Sequence, residues 1–268
     1  MKRLLLTVTA FLLILTLAAG CSKLQTERPI GTEPSGSATK PSAEATTKPT
    51  TETAPTETEW DTEYEGDASS YYIDVVYAQQ IERYYTAISQ QWDETAYLEH
   101  EMSPLAAHYY EGKPLDNVGF TFMDLDGDGI WELIIGAIKN AEKDPLIFEI
   151  WALRNDEPVM VAQSGSHNRY YLQYAQEDDL WSVAYEAENN AVNRAVYYLQ
   201  LDEGEFKVVQ GVIFDAITNE NAPWFMTYDL DWDVSNDTPI DENTADSVMN
   251  AGRSTYTAQE YFPYSLYK

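Results

Sequence analysis

Nine residues, Asp124-Leu-Asp126-Gly-Asp128-Gly129-Ile-Trp-Glu132, carry four carboxylates and two glycines between the apolar runs Phe120-Thr-Phe122 and Leu133-Ile-Ile135. Crowded acidic side chains repel one another, and glycine weakens both helix and strand, so the stretch has to be a turn. The aromatic and β-branched runs on either side read as the two strands that it joins. Acidic oxygens fall at loop positions 1, 3, 5 and 9, and Gly129 at position 6 permits a sharp bend. A hard cation such as Ca2+ takes six to eight oxygens at about 2.3–2.6 Å, and alternating aspartates on a tight loop converge on one point. Asp124, Asp126, Asp128 and Glu132 are therefore candidate Ca2+ ligands, joined by the backbone carbonyl of Ile130 at position 7. Position 12 is Ile135 and not the bidentate Glu of an EF-hand. The competing reading is an acidic turn that binds nothing specifically.

The texture around this loop predicts the rest of the fold. Ile73, Val76, Tyr77, Ile81, Tyr84, Tyr85, Ile88 and Trp92 recur at three- and four-residue steps, the pattern of an amphipathic helix over 73–92. A shorter helix is expected from Asp93, a plausible N-cap, with an interruption near Pro104. Strands are expected at 119–123, 132–138, 146–153, 159–163, 170–174, 181–185, 195–201 and 206–214. The connections Asn155-Asp-Glu-Pro158 and Asp202-Glu-Gly-Glu205 are polar and hairpin-length, so neighbouring strands should pair antiparallel. A short helix over 241–250 should close at Gly252 as the residue after its cap. Helices first, then strands, then a helix make the expected class α+β, with N-terminal amphipathic helices packed on a meandering antiparallel sheet.

Charge excludes one class of partner. With 45 Asp and Glu against 16 Lys and Arg and a net charge of −29, the chain lacks the clustered cations that hold a phosphate backbone, so no nucleic-acid partner is expected. Its single cysteine, Cys21, rules out an internal disulfide framework and a cysteine-based zinc site.

That cysteine stands at the end of an address. Lys2 and Arg3 precede an uncharged apolar run over 4–19, which ends in Leu17-Ala-Ala-Gly-Cys21. This is a secretory signal over 1–20 or, on the plainer alternative, an uncleaved membrane anchor for which the run is short. From residue 22 to about 66 the composition turns to Thr, Pro, Glu, Ser and Ala, which buries too little apolar area to offset chain entropy. Residues 21–66 are thus expected to form an extended stalk reaching at most roughly 140 Å at about 3.1 Å per residue. Residues 67–268 are expected to be the folded domain.

Two of these motifs carry resemblances. The end of the leader resembles the lipobox of bacterial lipoproteins, which implies that Cys21 becomes the first residue and carries a diacylglycerol with acyl chains such as palmitate. Two chains make a stable anchor where one is marginal. The stretch from Gly119 to Ala137 resembles the calcium loop of FG-GAP and VCBS-type repeats, where the loop lies between two strands; here it occurs once rather than once per propeller blade. With the stalk, the leading helix and Gly165-Ser-His-Asn-Arg-Tyr-Tyr-Leu172, the chain resembles surface lipoproteins of Gram-positive gut bacteria. That resemblance implies a membrane-anchored, extracellular location and carries no activity to transfer.

Other constellations are weaker. Asp229, Asp231, Asp233 and Asp237 repeat the alternating spacing and invite a second ion site, but Val234 stands where the glycine should be. The alternates Leu230, Trp232 and Val234 read better as the buried face of a strand whose aspartates face water. His100 is followed after four residues by Pro104, which defeats a zinc-protease helix. Ser164-Gly-Ser-His167 lacks the nucleophile elbow of a serine hydrolase. With so many acids, a glycosidase pair is neither excluded nor located. The 20 Tyr and 7 Trp could stack on sugars, although core packing explains the strand aromatics at least as well. The leading expectation is a non-enzymatic surface module for an extracellular glycan or protein; the alternative is a secreted hydrolase of glycans or cell wall with unidentified carboxylates.

Overall fold

The computed structural model describes residues 68–175, 180–217 and 220–268. The leader, Cys21 and the stalk fall outside the described residues. The described part is α+β, with eleven strands in one antiparallel sheet and a few helices.

The leading helix is longer than its periodicity suggests and is interrupted. A first turn, α1 (Ala68–Tyr71), runs into a widened π-helical segment, Tyr72–Val76, before α2 (Ala78–Ser89). The expected continuous helix over 73–92 is thus corrected at both ends. In the wide turn the N–H of Tyr77 bonds the carbonyl of Tyr72 at 2.9 Å, and the two rings stack 6.0 Å apart. A regular helix would place residues five apart about 140° apart around its axis. The wide turn brings both rings to one side, toward Phe122 and Trp131. Asp93 caps α3 (Glu94–Glu99) by accepting the Ala96 N–H at 2.9 Å, as its position predicts. Pro104 opens a 3-10 turn, Pro104–Tyr109, and α4 (Pro114–Asn117) leads into the sheet.

The strands are β1 (Val118–Met123), β2 (Glu132–Ala137), β3 (Leu146–Arg154), β4 (Glu157–Gln163), β5 (Asn168–Ala175), β6 (Leu180–Asn190), β7 (Asn193–Asp202), β8 (Glu205–Asp215), β9 (Trp224–Thr227), β10 (Thr238–Pro239) and β11 (Phe262–Pro263). The first eight are the eight expected, with ends that differ by two residues or fewer except in β6, which runs five residues past the expected 185. Their order is β10-β9-β8-β7-β6-β5-β3-β2-β1-β11, with β4 branching from β3. Two-residue turns with both central residues at positive φ, Asn155-Asp156 and Glu203-Gly204, close the β3–β4 and β7–β8 hairpins. The meander breaks at β3, which pairs first with β5 through Leu146 and Ile147 and further along with β4. Ser164 fixes that branch: it is fully buried, its hydroxyl bonds the Ile147 carbonyl and accepts the Tyr170 N–H.

One face of the sheet carries all the helices that pack on it. Ile81, Tyr84, Ala87 and Ile88 of α2 bury against Val118, Phe120, Leu133, Ile135 and Phe148. Farther along the same face, α5 (Glu242–Arg253) lays Ala245, Val248 and Met249 over Val196, Val212 and Trp224, and Tyr198 touches both layers. The opposite face buries Ile134, Ile150, Leu172, Val183, Tyr197 and Ile213 under Leu125 and Val234, with no helix over it among the described residues. Register shifts in β3, β6 and β7 mark bulges, which locally increase the twist of the sheet.

Two further expectations are corrected. Gly252 lies inside α5, whose cap is Ser254, and not after its end; the Tyr198 ring occupies the space a side chain there would need. Residues 228–237 form a loop between β9 and β10 and not a strand: Val234 is buried, but Leu230 is 46% exposed.

Candidate metal centre

β1 ends at Met123, just before Asp124, and β2 resumes at Glu132, so the loop is held at both ends by a strand pair whose register runs from Val118–Ala137 to Met123–Glu132. Gly127 and Gly129 have φ of +78° and +85°, the left-handed region that side chains avoid. With the chain bent there, loop N–H groups fold back onto the aspartates. Asp124 accepts from Gly127 through Oδ1 at 2.7 Å and from Gly129 through Oδ2 at 3.0 Å. Asp126 accepts from Asp128 at 3.3 Å, and Asp128 accepts from Ile130 at 2.7 Å. One carboxylate oxygen from each of Asp124, Asp126 and Asp128 lies within 4.8 Å of the others. Two oxygens on opposite sides of a Ca2+ stand about 4.6–5.2 Å apart, so the three fit within one coordination sphere. These three aspartates could hold a metal ion.

The remaining predicted ligands are placed differently. Glu132 is only 3% exposed and lies outside the convergent group; its Oε2 accepts the Leu125 N–H at 2.8 Å, which closes the loop from behind. Burial, followed by repulsion from Asp126, Asp128 and Asp124, pushes its carboxyl up to about 8. Burial and the neighbouring Asp128 also raise Asp126. Ile130 is half-buried beside the cluster, with its N–H on Asp128.

Sequence reasoning missed the aromatic clamp behind the loop. The Trp131 ring stacks on Tyr72 at 5.4 Å; the Trp131 backbone N–H donates to the Tyr72 hydroxyl at 3.2 Å, and the Trp131 backbone carbonyl accepts the Tyr77 hydroxyl at 3.0 Å. The leading helix thereby holds the exit of the acidic loop. Tyr77 was legible as an apolar position of the leading helix, but Tyr72 lies before its expected start, and only the wide turn brings both toward Trp131.

The second acidic loop takes another form. Asp229 accepts from Asp231, Asp231 from Asp233 and Asp233 from Ser235, each bond spanning two residues. Burial and the charges of Asp229, Asp231 and Asp233 raise Asp237. Among the described residues only Asp124, Asp126 and Asp128 converge, so this loop gathers no comparable focus. The histidines are engaged elsewhere: His100 stacks on Trp92 at 4.4 Å, and His108 meets Glu94 at 2.9 Å. A buried carboxylate absent from the sequence reading, Glu149, receives the N–H groups of Ser103, Trp151 and Gln163 at 3.0, 2.9 and 3.3 Å. It is a structural tie between β3 and the turn after α3.

No helix among the described residues is long and apolar enough to cross a membrane. No protein-family model, curated protein or solved structure matches the chain.

Proposed function

We propose that this chain is a lipid-anchored extracellular surface domain, stabilised by one Ca2+ in the 124–132 loop, that serves as a binding or accessory module for a glycan or protein. The observation that carries the calcium reading is the convergence of Asp124, Asp126 and Asp128 on a glycine-bent loop pinned between two strands. The Ile130 carbonyl is the backbone ligand of this reading, while Glu132, outside the convergent group, braces the loop through the Leu125 N–H and would have to turn inward to join the set. Ca2+ suits such a site because it accepts many carboxylate and carbonyl oxygens without strict geometry. The ion also reverses the sign of the local electrostatics, turning mutual repulsion into shared attraction, so binding and folding stability are coupled. Anchoring rests on Leu17-Ala-Ala-Gly-Cys21 and the Thr/Pro-rich stalk that follows.

Calcium is tested by thermal unfolding of the full chain. For a site with Kd of about 10⁻⁴–10⁻³ M, 10 mM Ca2+ stabilises by roughly 1.4–2.7 kcal/mol. That raises Tm by about 3–10 °C in a domain of this size. Asp126→Asn or Asp128→Asn removes most of the rise and Asp229→Asn leaves it; a response lost only in Asp229→Asn sinks the assignment. For the anchor, labelled palmitate is incorporated into the chain in cells and lost in Cys21→Ser. On a glycan panel, retention without product release supports the module, whereas new reducing ends establish the hydrolase alternative instead.

A further inference from the structure

The helix-covered face of the sheet holds a cavity of about 330 Å³ between β5–β9 and α5. Its lining runs against the composition of the chain. Acidic residues outnumber Lys and Arg 45 to 16, yet Arg169, Arg194 and Arg253 all line this one cavity.

The three arginines are not equivalent. Arg253 is neutralised by Glu186 at 2.8 Å. Arg169 spends its N–H groups on the carbonyls of Gly165 and Asn168. Arg194 lies over the rings of Phe214 and Trp224, 5.1 and 5.6 Å from their centroids, and has no carboxylate within ion-pair distance among the described residues. Its position follows from the register. Glu188, Arg194, Phe214 and Trp224 form one row across β6, β7, β8 and β9, so their side chains share a face. Glu188 is the direct cross-strand neighbour of Arg194, but the guanidinium lies on the aromatic side of that row. Stacking of this kind holds the planar fork in place, ready to take a carboxylate through two parallel bonds.

Negative charge is left over as well. Glu188 and Asp246 line the same cavity without an ion-pair partner among the described residues. A simple anion entering here meets two uncompensated carboxylates, and a simple cation meets two guanidinium groups. Stacked sugar rings fit poorly, because Trp224 is buried and Arg194 covers its face. Arg194, Glu188 and Asp246 are all solvent-exposed, so each is accessible to a ligand, and a molecule carrying both signs pairs with both sets.

We propose that this cavity binds a small zwitterion, an amino acid or short peptide whose carboxylate docks on Arg194 and whose ammonium faces Glu188 and Asp246. The volume lies at the lower end of the range for small-molecule sites, which suits a ligand of that size. This inference stands independently of the calcium loop, which lies on a different part of the sheet.

The probe is alanyl-alanine, titrated calorimetrically into the full chain beside its N-acetyl and C-terminal amide forms. Alanyl-alanine is expected to bind saturably, with each blocked form weaker by about tenfold or more, since each loses one charge-assisted contact. Arg194→Lys keeps the charge but loses the fork and weakens binding by a similar factor. Glu188→Gln with Asp246→Asn reduces the preference for the free ammonium over the N-acetyl form. Equal binding of the parent and both blocked peptides, or no saturable heat up to roughly 10 mM, overturns the proposal. Because the blocked peptides are compared on the unaltered protein, that outcome holds even if a variant folds poorly.

Discussion

Gly252→Ala would drive a methyl group into the Tyr198 ring. A Cβ at this position stands 2.1 Å from the Tyr198 hydroxyl oxygen and 2.4 Å from two of its ring carbons. These are far inside van der Waals contact, so either α5 lifts or the ring moves. Tyr198 is constrained, because it packs against both helical layers and its hydroxyl bonds the Val248 carbonyl at 3.2 Å. Overpacking a fitted core costs about 1–3 kcal/mol, and loss of the hydroxyl bond adds about 1 kcal/mol. Alanine returns roughly 1 kcal/mol through better helix propensity. The expected net loss is about 1–3 kcal/mol, read as a lower urea midpoint by circular dichroism with an unchanged slope. In a Tyr198→Leu background the same substitution should be neutral or stabilising, since only the propensity gain remains. A Gly252→Ala protein as stable as its parent, or a cost that persists without the Tyr198 ring, would refute the packing argument and with it the seat of α5 over the cavity.

Three further outcomes follow from named contacts. Burial raises the Glu149 carboxyl above its ordinary 4.5, so the folded chain keeps that proton to higher pH than the unfolded chain. Its contribution to stability is present in full below about pH 4.5 and is lost as pH rises through the folded-state pKa. Urea midpoints measured from pH 4 to 8 in saturating Ca2+ should show a shallower decline in Glu149→Gln, and an unaltered slope would count against this. Gly127→Ala meets no atom within 4 Å but must hold φ at +78°, so it should cost about 1 kcal/mol in urea unfolding through the backbone alone. Tyr72→Phe leaves the Trp131 N–H, 3.2 Å from the lost hydroxyl, without that acceptor, and should cost about 1 kcal/mol by the same assay.

The parts of this fold that were legible in the sequence are those governed by neighbours along the chain. Alternating β-branched and aromatic residues marked eight strands, and Asp93 and Asp241 marked helix starts that the structure confirms through bonds from Ala96 and Thr244. Asp124, Asp126 and Asp128 converge because glycine at 127 and 129 bends nine consecutive residues, with no distant partner required. Residues 228–237 show where such reasoning fails. Their alternation mimics a strand, but a strand needs a neighbour to pair with, and these aspartates instead bond the backbone two residues on.

What the tertiary structure alone decided are the meetings between distant segments. Tyr72 reaches Trp131 across 59 positions, and Gln173 reaches Gly252 across 79. Gly252 reads as a helix stop in sequence and becomes a docking point only once the Tyr198 ring is against it. The row that sets Glu188 beside Arg194 and Arg194 over Trp224 is fixed by strand register across four strands. Local chemistry determined the elements and the acidic loop, because turns, caps and alternation act over a few residues. Long-range packing determined which side chains share a cavity, because that depends on how strands align and where a helix comes to rest.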